Sequence, residues 1–412
     1  MPFQQHRLAN GITLLGENHP SALSVSMSFW VKTGARDESP DVSGVSHFLE
    51  HMVFKGTETR DSFAVNRDFS RIGADNNAWT SEENTVFYGV VLPEYLPQLA
   101  DVLCDMMRPT LREEDFLTEK EVILDEIARY EVQPGWVLFD NVRPHHYGAH
   151  PLSQSVLGTT ESIKQLTCEQ MRNYFNSRYV GSNILVAVTG QFDWDVLREM
   201  VEAKCGHWPA GTAPRTQVVE VAGPGTIKVV QVPVEKAAQE YVALTSQSPT
   251  ANSELSYAAA LVATAIGDYT GSRYYWALSD TGLADDVGMS VDESDGTSAV
   301  MSTFSCEPEN VAEVYATCRQ ILDAVQKDGL TSQEIEQART KILSREVRAG
   351  EKSRRRMSVI AKDWLYRGCY RTVDDELASW DRVDSKAIRE YLDRYPINQP
   401  TVTAYGPCAS LE

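Results

Sequence analysis

Ser43-Gly44-Val45-Ser46-His47-Phe48-Leu49-Glu50-His51-Met52-Val53-Phe54-Lys55-Gly56 is the stretch on which the reading of this 412-residue chain turns. It predicts a helix, with Ser43 as N-cap and Gly56 just past the end. His47 and His51 are four apart, so they stand one turn apart on one face. Glu50 borders that face, while Phe48, Leu49, Met52 and Val53 can bury against a core. Two imidazoles one turn apart can share a zinc ion, and a carboxylate between them can reach a water on that ion. The order is H-x-x-E-H, the inverse of the commoner H-E-x-x-H. The competing reading is two ordinary histidines beside an acid. Helical context, apolar backing and a carboxylate-rich helix downstream weigh against it.

That downstream helix is predicted over residues 113–130, with Glu119-Lys120-Glu121-Val122-Ile123-Leu124-Asp125-Glu126-Ile127 at its centre. Glu119 and Glu126 are seven apart, two turns along one face. Composition alone would make this a solvated acidic surface, and spacing does not choose between Asp125 and Glu126 as a third ligand.

The bulk numbers bound the rest. A chain of this length predicts two domains. Charged residues are 23% and apolar ones 42%, ordinary for a globular protein. A net charge of −20 argues against nucleic acid and anionic membrane surfaces as partners. No apolar run approaches the roughly 18 residues of a membrane span, and the N-terminal residues show no secretory pattern. Seven cysteines, odd in number and never in C-x-x-C, suggest reduced thiols and a cytoplasmic protein.

In chain order, Asn10-Gly11 predicts a hairpin. Leu23–Val31 alternates apolar residues with serines, as in a strand with one buried face. Asn77-Ala78-Trp79-Thr80 and residues 85–91 read as a further strand pair. Residues 207–225 hold three prolines and three glycines and read as a linker between domains at 1–206 and 226–412. The second half repeats the first half's order of elements, which suggests a diverged duplication. Its apolar helix at 255–266 has no His or Glu, so a metal site is expected only in the first half.

Together the motifs resemble the pitrilysin and mitochondrial processing peptidase family of zinc peptidases, in particular its short bacterial members with two homologous halves per chain. His47 through Thr57 is near-identical to that family's zinc helix, and Glu119 through Ile127 matches its second motif. His150-Pro151-Leu152, Leu157-Gly158-Thr159, Gly190-Gln191-Phe192-Asp193 and Gly271-Ser272-Arg273 extend the likeness over most of the chain. The resemblance implies an α+β fold of two homologous sandwich domains, each a largely antiparallel mixed sheet packed with helices. It implies one zinc per chain on His47, His51 and Glu126, Glu119 supporting the site from outside, and Glu50 as general base. It further implies that Asn77, Ala78, Trp79 and Thr80 form an edge strand on which an unfolded peptide adds as a further strand, inside an enclosed chamber.

One segment departs from the family. An Arg and, seven residues later, a Tyr finish the family's site from a segment of the form L-R-x-x-x-G-L-x-Y. Here the segment reads Leu278-Ser279-Asp280-Thr281-Gly282-Leu283-Ala284-Asp285, one residue short, with Ser279 and Asp285 at those places. The resemblance therefore implies a dimer, preferentially with a homologue that supplies the Arg and Tyr, unless Arg273, Tyr274 or Tyr275 substitutes. A weakly active assembly subunit and a peptidase dedicated to one precursor peptide are the competing readings.

Overall fold

A computed structural model describes residues 2–215 and 225–411. The first sheet is built from β1 (Phe3–Arg7), β2 (Thr13–Asn18), β3 (Val25–Val31), β4 (Asp75–Thr80), β5 (Thr85–Val91) and β6 (Ile184–Gly190). Its order is β1-β2-β6-β3-β5-β4, antiparallel throughout except the parallel β2/β6 pair. The second sheet holds β7 (Ile227–Gln231), β8 (Glu240–Ser248), β9 (Asp286–Asp292), β10 (Ser298–Cys306) and β11 (Thr401–Gly406), in the order β7-β11-β8-β10-β9. Only β7/β11 is parallel. Strand for strand, and in the position of its one parallel pair, the second sheet repeats the first without β1. Both domains are thus mixed sheets packed with helices.

The compact units are not two contiguous stretches. The first comprises Met1–Ile127, Gln154–Thr216 and Arg348–Arg371; the second comprises Ala128–Ser153, Gln217–Val347 and Thr372–Glu412. The halves expected at 1–206 and 226–412 therefore each give one helical segment to the other unit. Part of the expected linker, residues 216–224, lies outside the described residues.

The donated segment corrects the reading of β3. All seven of its residues are buried, serines included. Val25, Met27, Phe29 and Val31 enter the main core, as the alternation predicts. The other face is covered by the helix Ser353–Lys362, whose Met357, Ile360 and Ala361 pack with Leu15, Trp30 and Leu185. The Ser26 hydroxyl meets that of Ser353 at 2.8 Å. Beneath the same helix, the fully buried Glu17 carboxylate accepts hydrogen bonds from Arg356 Nε at 2.9 Å and Nη2 at 2.6 Å and from the Tyr370 hydroxyl at 2.7 Å. A helix more than 300 residues away in sequence is invisible to strand periodicity.

Candidate active site

The histidine helix spans Val45–Val53. It buries Val45, Phe48, Leu49, Met52 and Val53 in the main core, and a fully buried side chain of this size stabilises by roughly 1.5–3 kcal/mol. Its start differs from the expected Ser43 cap. Gly44 stands at the N-cap with φ +90°, and the capping acceptor is the Glu38 side chain. Glu38 Oε2 accepts from the Gly44 amide and Oε1 from the Ser46 amide, each at 2.7 Å. A carboxyl group from outside the helix thus meets the first free N–H groups, and burial pushes its pKa up to about 8 against these two bonds. A Cβ on Gly44 would lie 2.5 Å from the Leu157 carbonyl oxygen, so close backbone approach adds to the positive φ in requiring glycine.

The acidic helix spans Glu113–Tyr130 and buries Phe116, Glu119, Ile123 and Ile127. Phe116 stacks on Phe48 at 4.7 Å between centroids, which docks one helix on the other. That docking decides between the neighbouring acids. Glu126 turns in beside the histidines while Asp125 is exposed. Glu126 Oε2 lies 3.9 Å from His47 Nε2 and 3.7 Å from His51 Nε2. One ligand atom from each of the three lies within 4.8 Å of the others, and among the described residues no other group of three His, Cys, Asp or Glu converges in this way.

Glu119 sits behind His51. Its Oε1 is 2.8 Å from His51 Nδ1 and its Oε2 pairs with Lys55. This bond holds the ring with Nε2 toward the centre and fixes the proton on Nδ1, the arrangement of an oriented metal ligand. Burial pushes the His51 pKa down, but the Glu119 hydrogen bond and the charges of Glu119, Glu126 and Glu50 outweigh it and leave it raised. His47 is the opposite case. Burial, helped by His51, drives its pKa down to about 3, so the ring is neutral with a lone pair to give. Two imidazole nitrogens and one carboxylate oxygen form a donor set that suits zinc with one position left open.

Glu50 stays out of this triad. Its Oε2 accepts a hydrogen bond from the Thr80 hydroxyl at 2.6 Å. Burial raises its pKa above the ordinary carboxylate value, with Glu126 adding to the push, against the Thr80 bond and the His51 charge. Thr80 ends β4, which lies at the edge of its sheet and, among the described residues, pairs only with β5. Trp79 is pinned edge-on against Trp30, with centroids 5.3 Å apart. The Ala78 amide donates to the Asn77 side chain at 2.9 Å. The link from Thr80 to Glu50 and the cap from Glu38 were not foreseen from the sequence, and no local spacing marks either.

Two of the three candidate substitutes for the missing Arg and Tyr, Arg273 and Tyr274, are engaged within the second unit. Arg273 forms a two-pronged pair with Glu334 at 2.7 and 3.0 Å. Tyr274 is fully buried with its hydroxyl 3.0 Å from that of Ser302, whereas Tyr275, like Arg273, is part-exposed. Asp285 accepts from Gln239 at 2.7 Å.

Comparison with known proteins matches residues 13–160 to the family described as Insulinase (Peptidase family M16) and residues 165–342 to the Peptidase M16 inactive domain. A zinc protease of Streptomyces coelicolor is 30% identical over 407 residues, covering 97% of this chain and 88% of that one. The chain belongs to peptidase family M16. Among M16 relatives, the zinc protease YmxG of Bacillus subtilis is 28% identical over 96% of this chain and 97% of its own. The mitochondrial-processing peptidase β subunit of Saccharomyces cerevisiae is 31% identical over 209 residues, half of this chain and 45% of the yeast protein. The fold is shared with a crystal structure of a protease from Helicobacter pylori, with a TM-score of 0.89, 18% identity, and coverage of 98% of this chain and 99% of that one. Among the described residues of this M16 chain, no helix is long and apolar enough to cross a membrane.

Proposed function

We propose that this M16 chain is a zinc-dependent endopeptidase subunit acting on unfolded peptides. The observation that carries the reading is the convergence of His47, His51 and Glu126, with the carboxylate of Glu50 beside them, at the end of an open edge strand. His47, His51 and Glu126 hold the ion, and Glu119 orients His51. When bound, zinc supplies Lewis-acid polarisation of the scissile carbonyl and of the attacking water. Glu50 takes the proton from that water and passes it to the leaving amide nitrogen. The substrate adds to β4 as an extended strand and takes over the Ala78 amide from the Asn77 side chain. Strand addition needs an unpaired backbone, which favours unfolded segments over folded proteins.

The segment holding Ser279 and Asp285 offers neither a guanidinium nor a phenol for the developing oxyanion. We assign that role to a homologous partner in a heterodimer. A subunit retained mainly for assembly is the second reading, and the same two residues favour it. The deciding test is Glu50→Gln. The variant keeps its zinc by elemental analysis and loses hydrolysis of a fluorogenic peptide by about 10²–10⁴. Wild-type activity in zinc-replete Glu50→Gln protein would overturn the mechanism.

A further inference from the structure

The geometry points to Thr80 as a positioning residue for the general base, tying the Glu50 carboxylate to the strand on which substrate adds. This rests on the reading of Glu50 as base. Thr80 lies 30 residues beyond Glu50 on a different element, yet its hydroxyl reaches Glu50 Oε2 at 2.6 Å. This is the one hydrogen bond of the Glu50 side chain among the described residues. A hydroxyl has one proton, so donation to Oε2 leaves Oε1 for the water. A glutamate has three side-chain torsions, and a base that samples them spends little time aligned. A single short bond from a fixed donor removes most of that freedom.

The donor is itself fixed. Threonine is β-branched and stiff at χ1. Thr80 pairs with Thr85 of β5, whose hydroxyl donates to the Thr33 carbonyl at 3.0 Å. Trp79, the preceding residue, is anchored on Trp30. Thr80 is thus both the last residue of the edge strand and the clamp on the base. A peptide registered on β4 is registered on the base by the same residue, so a shift of the strand carries the carboxylate with it.

The test compares Thr80→Val with Thr80→Ser in the full zinc-loaded chain. Valine keeps the branched shape and strand preference but cannot donate; serine keeps the donor and loses a methyl. Thr80→Val should keep its zinc content and its KM within about twofold while kcat falls about 10- to 100-fold, the range for loss of an orienting hydrogen bond. Thr80→Ser should recover most of that kcat. Wild-type kcat in Thr80→Val overturns the proposal, as does a Thr80→Ser variant no better than the valine, because the hydroxyl would then fail to restore what its removal cost. A crystal structure of the zinc-loaded wild type gives a second readout independent of turnover. Glu50 Oε2 should lie within hydrogen-bond distance of Thr80 Oγ1, and a carboxylate turned away from Thr80 refutes the assignment. Should wild type and variants alike cleave no peptide even with a homologue carrying the Arg/Tyr segment added, the peptidase reading fails, and the crystal structure still decides what Thr80 holds.

Discussion

Replacing Glu119 by glutamine tests how far the metal site depends on a residue that does not touch the metal. Glu119 makes two contacts: Oε1 to His51 Nδ1 at 2.8 Å and Oε2 to the Lys55 ammonium. Glutamine has one oxygen and one amide nitrogen. If the oxygen serves His51, the NH2 group faces Lys55, donor against donor; if it serves Lys55, the NH2 group faces His51 Nδ1 and turns the tautomer against metal binding through Nε2. Either way one contact is lost, together with the negative charge that makes the ring a stronger donor. Loss of such a partner weakens metal affinity about 10- to 100-fold, which is about 1.4–2.8 kcal/mol at 1.4 kcal/mol per factor of ten. The assay is competition for zinc against a chelator of known affinity, with Asp125→Asn as the exposed control on the same helix. Glu119→Gln should shift the zinc Kd by that factor and Asp125→Asn should leave it unchanged. An unchanged Kd in Glu119→Gln would refute the reasoning, because it would mean that His51 holds its orientation without Glu119.

Four further outcomes follow from other parts of the structure. Arg356→Leu strands the fully buried Glu17 carboxylate and should destabilise the chain by roughly 3–5 kcal/mol in denaturant unfolding. Burial pushes the Glu17 pKa up, but the Arg356, Tyr370 and His19 contacts outweigh it and leave it lowered, so its contribution is present above the ordinary carboxylate range and lost as pH falls through the folded value; the wild type should therefore lose more stability on acidification than Glu17→Gln/Arg356→Met. Glu38→Gln keeps one oxygen for two amides at the start of the histidine helix and should cost about 1–3 kcal/mol in thermal or denaturant unfolding; a loss well below this would show that the helix is held by packing alone. Peptide cleavage by the isolated chain should be weak and should rise about 10²–10³-fold on titration with a homologue carrying the Arg/Tyr segment, whereas full activity of the chain alone would remove the need for a partner.

Whatever depends on local periodicity is legible in the order of the amino acids. Four-residue spacing put His47 and His51 on one helical face, seven-residue spacing aligned Glu119 with Glu126, and alternation in Val25–Val31 marked which residues enter the main core. These follow from fixed repeats of 3.6 and 2 residues, whatever the rest of the chain does. Whatever depends on which surfaces meet is visible only in the folded chain. Phe116 on Phe48 turns Glu126, not Asp125, toward the histidines. Glu38 takes the cap that Ser43 was expected to make, and Thr80 reaches Glu50 from another element. The helix Ser353–Lys362 buries the serine face of β3, which alternation had left to solvent. Cys104 and Cys205, scattered in sequence, lie with their sulfurs 3.4 Å apart. The distinction is physical: side-chain direction along one element is set by backbone geometry within a few residues, whereas a contact between elements exists only once burial of apolar surface has brought them together.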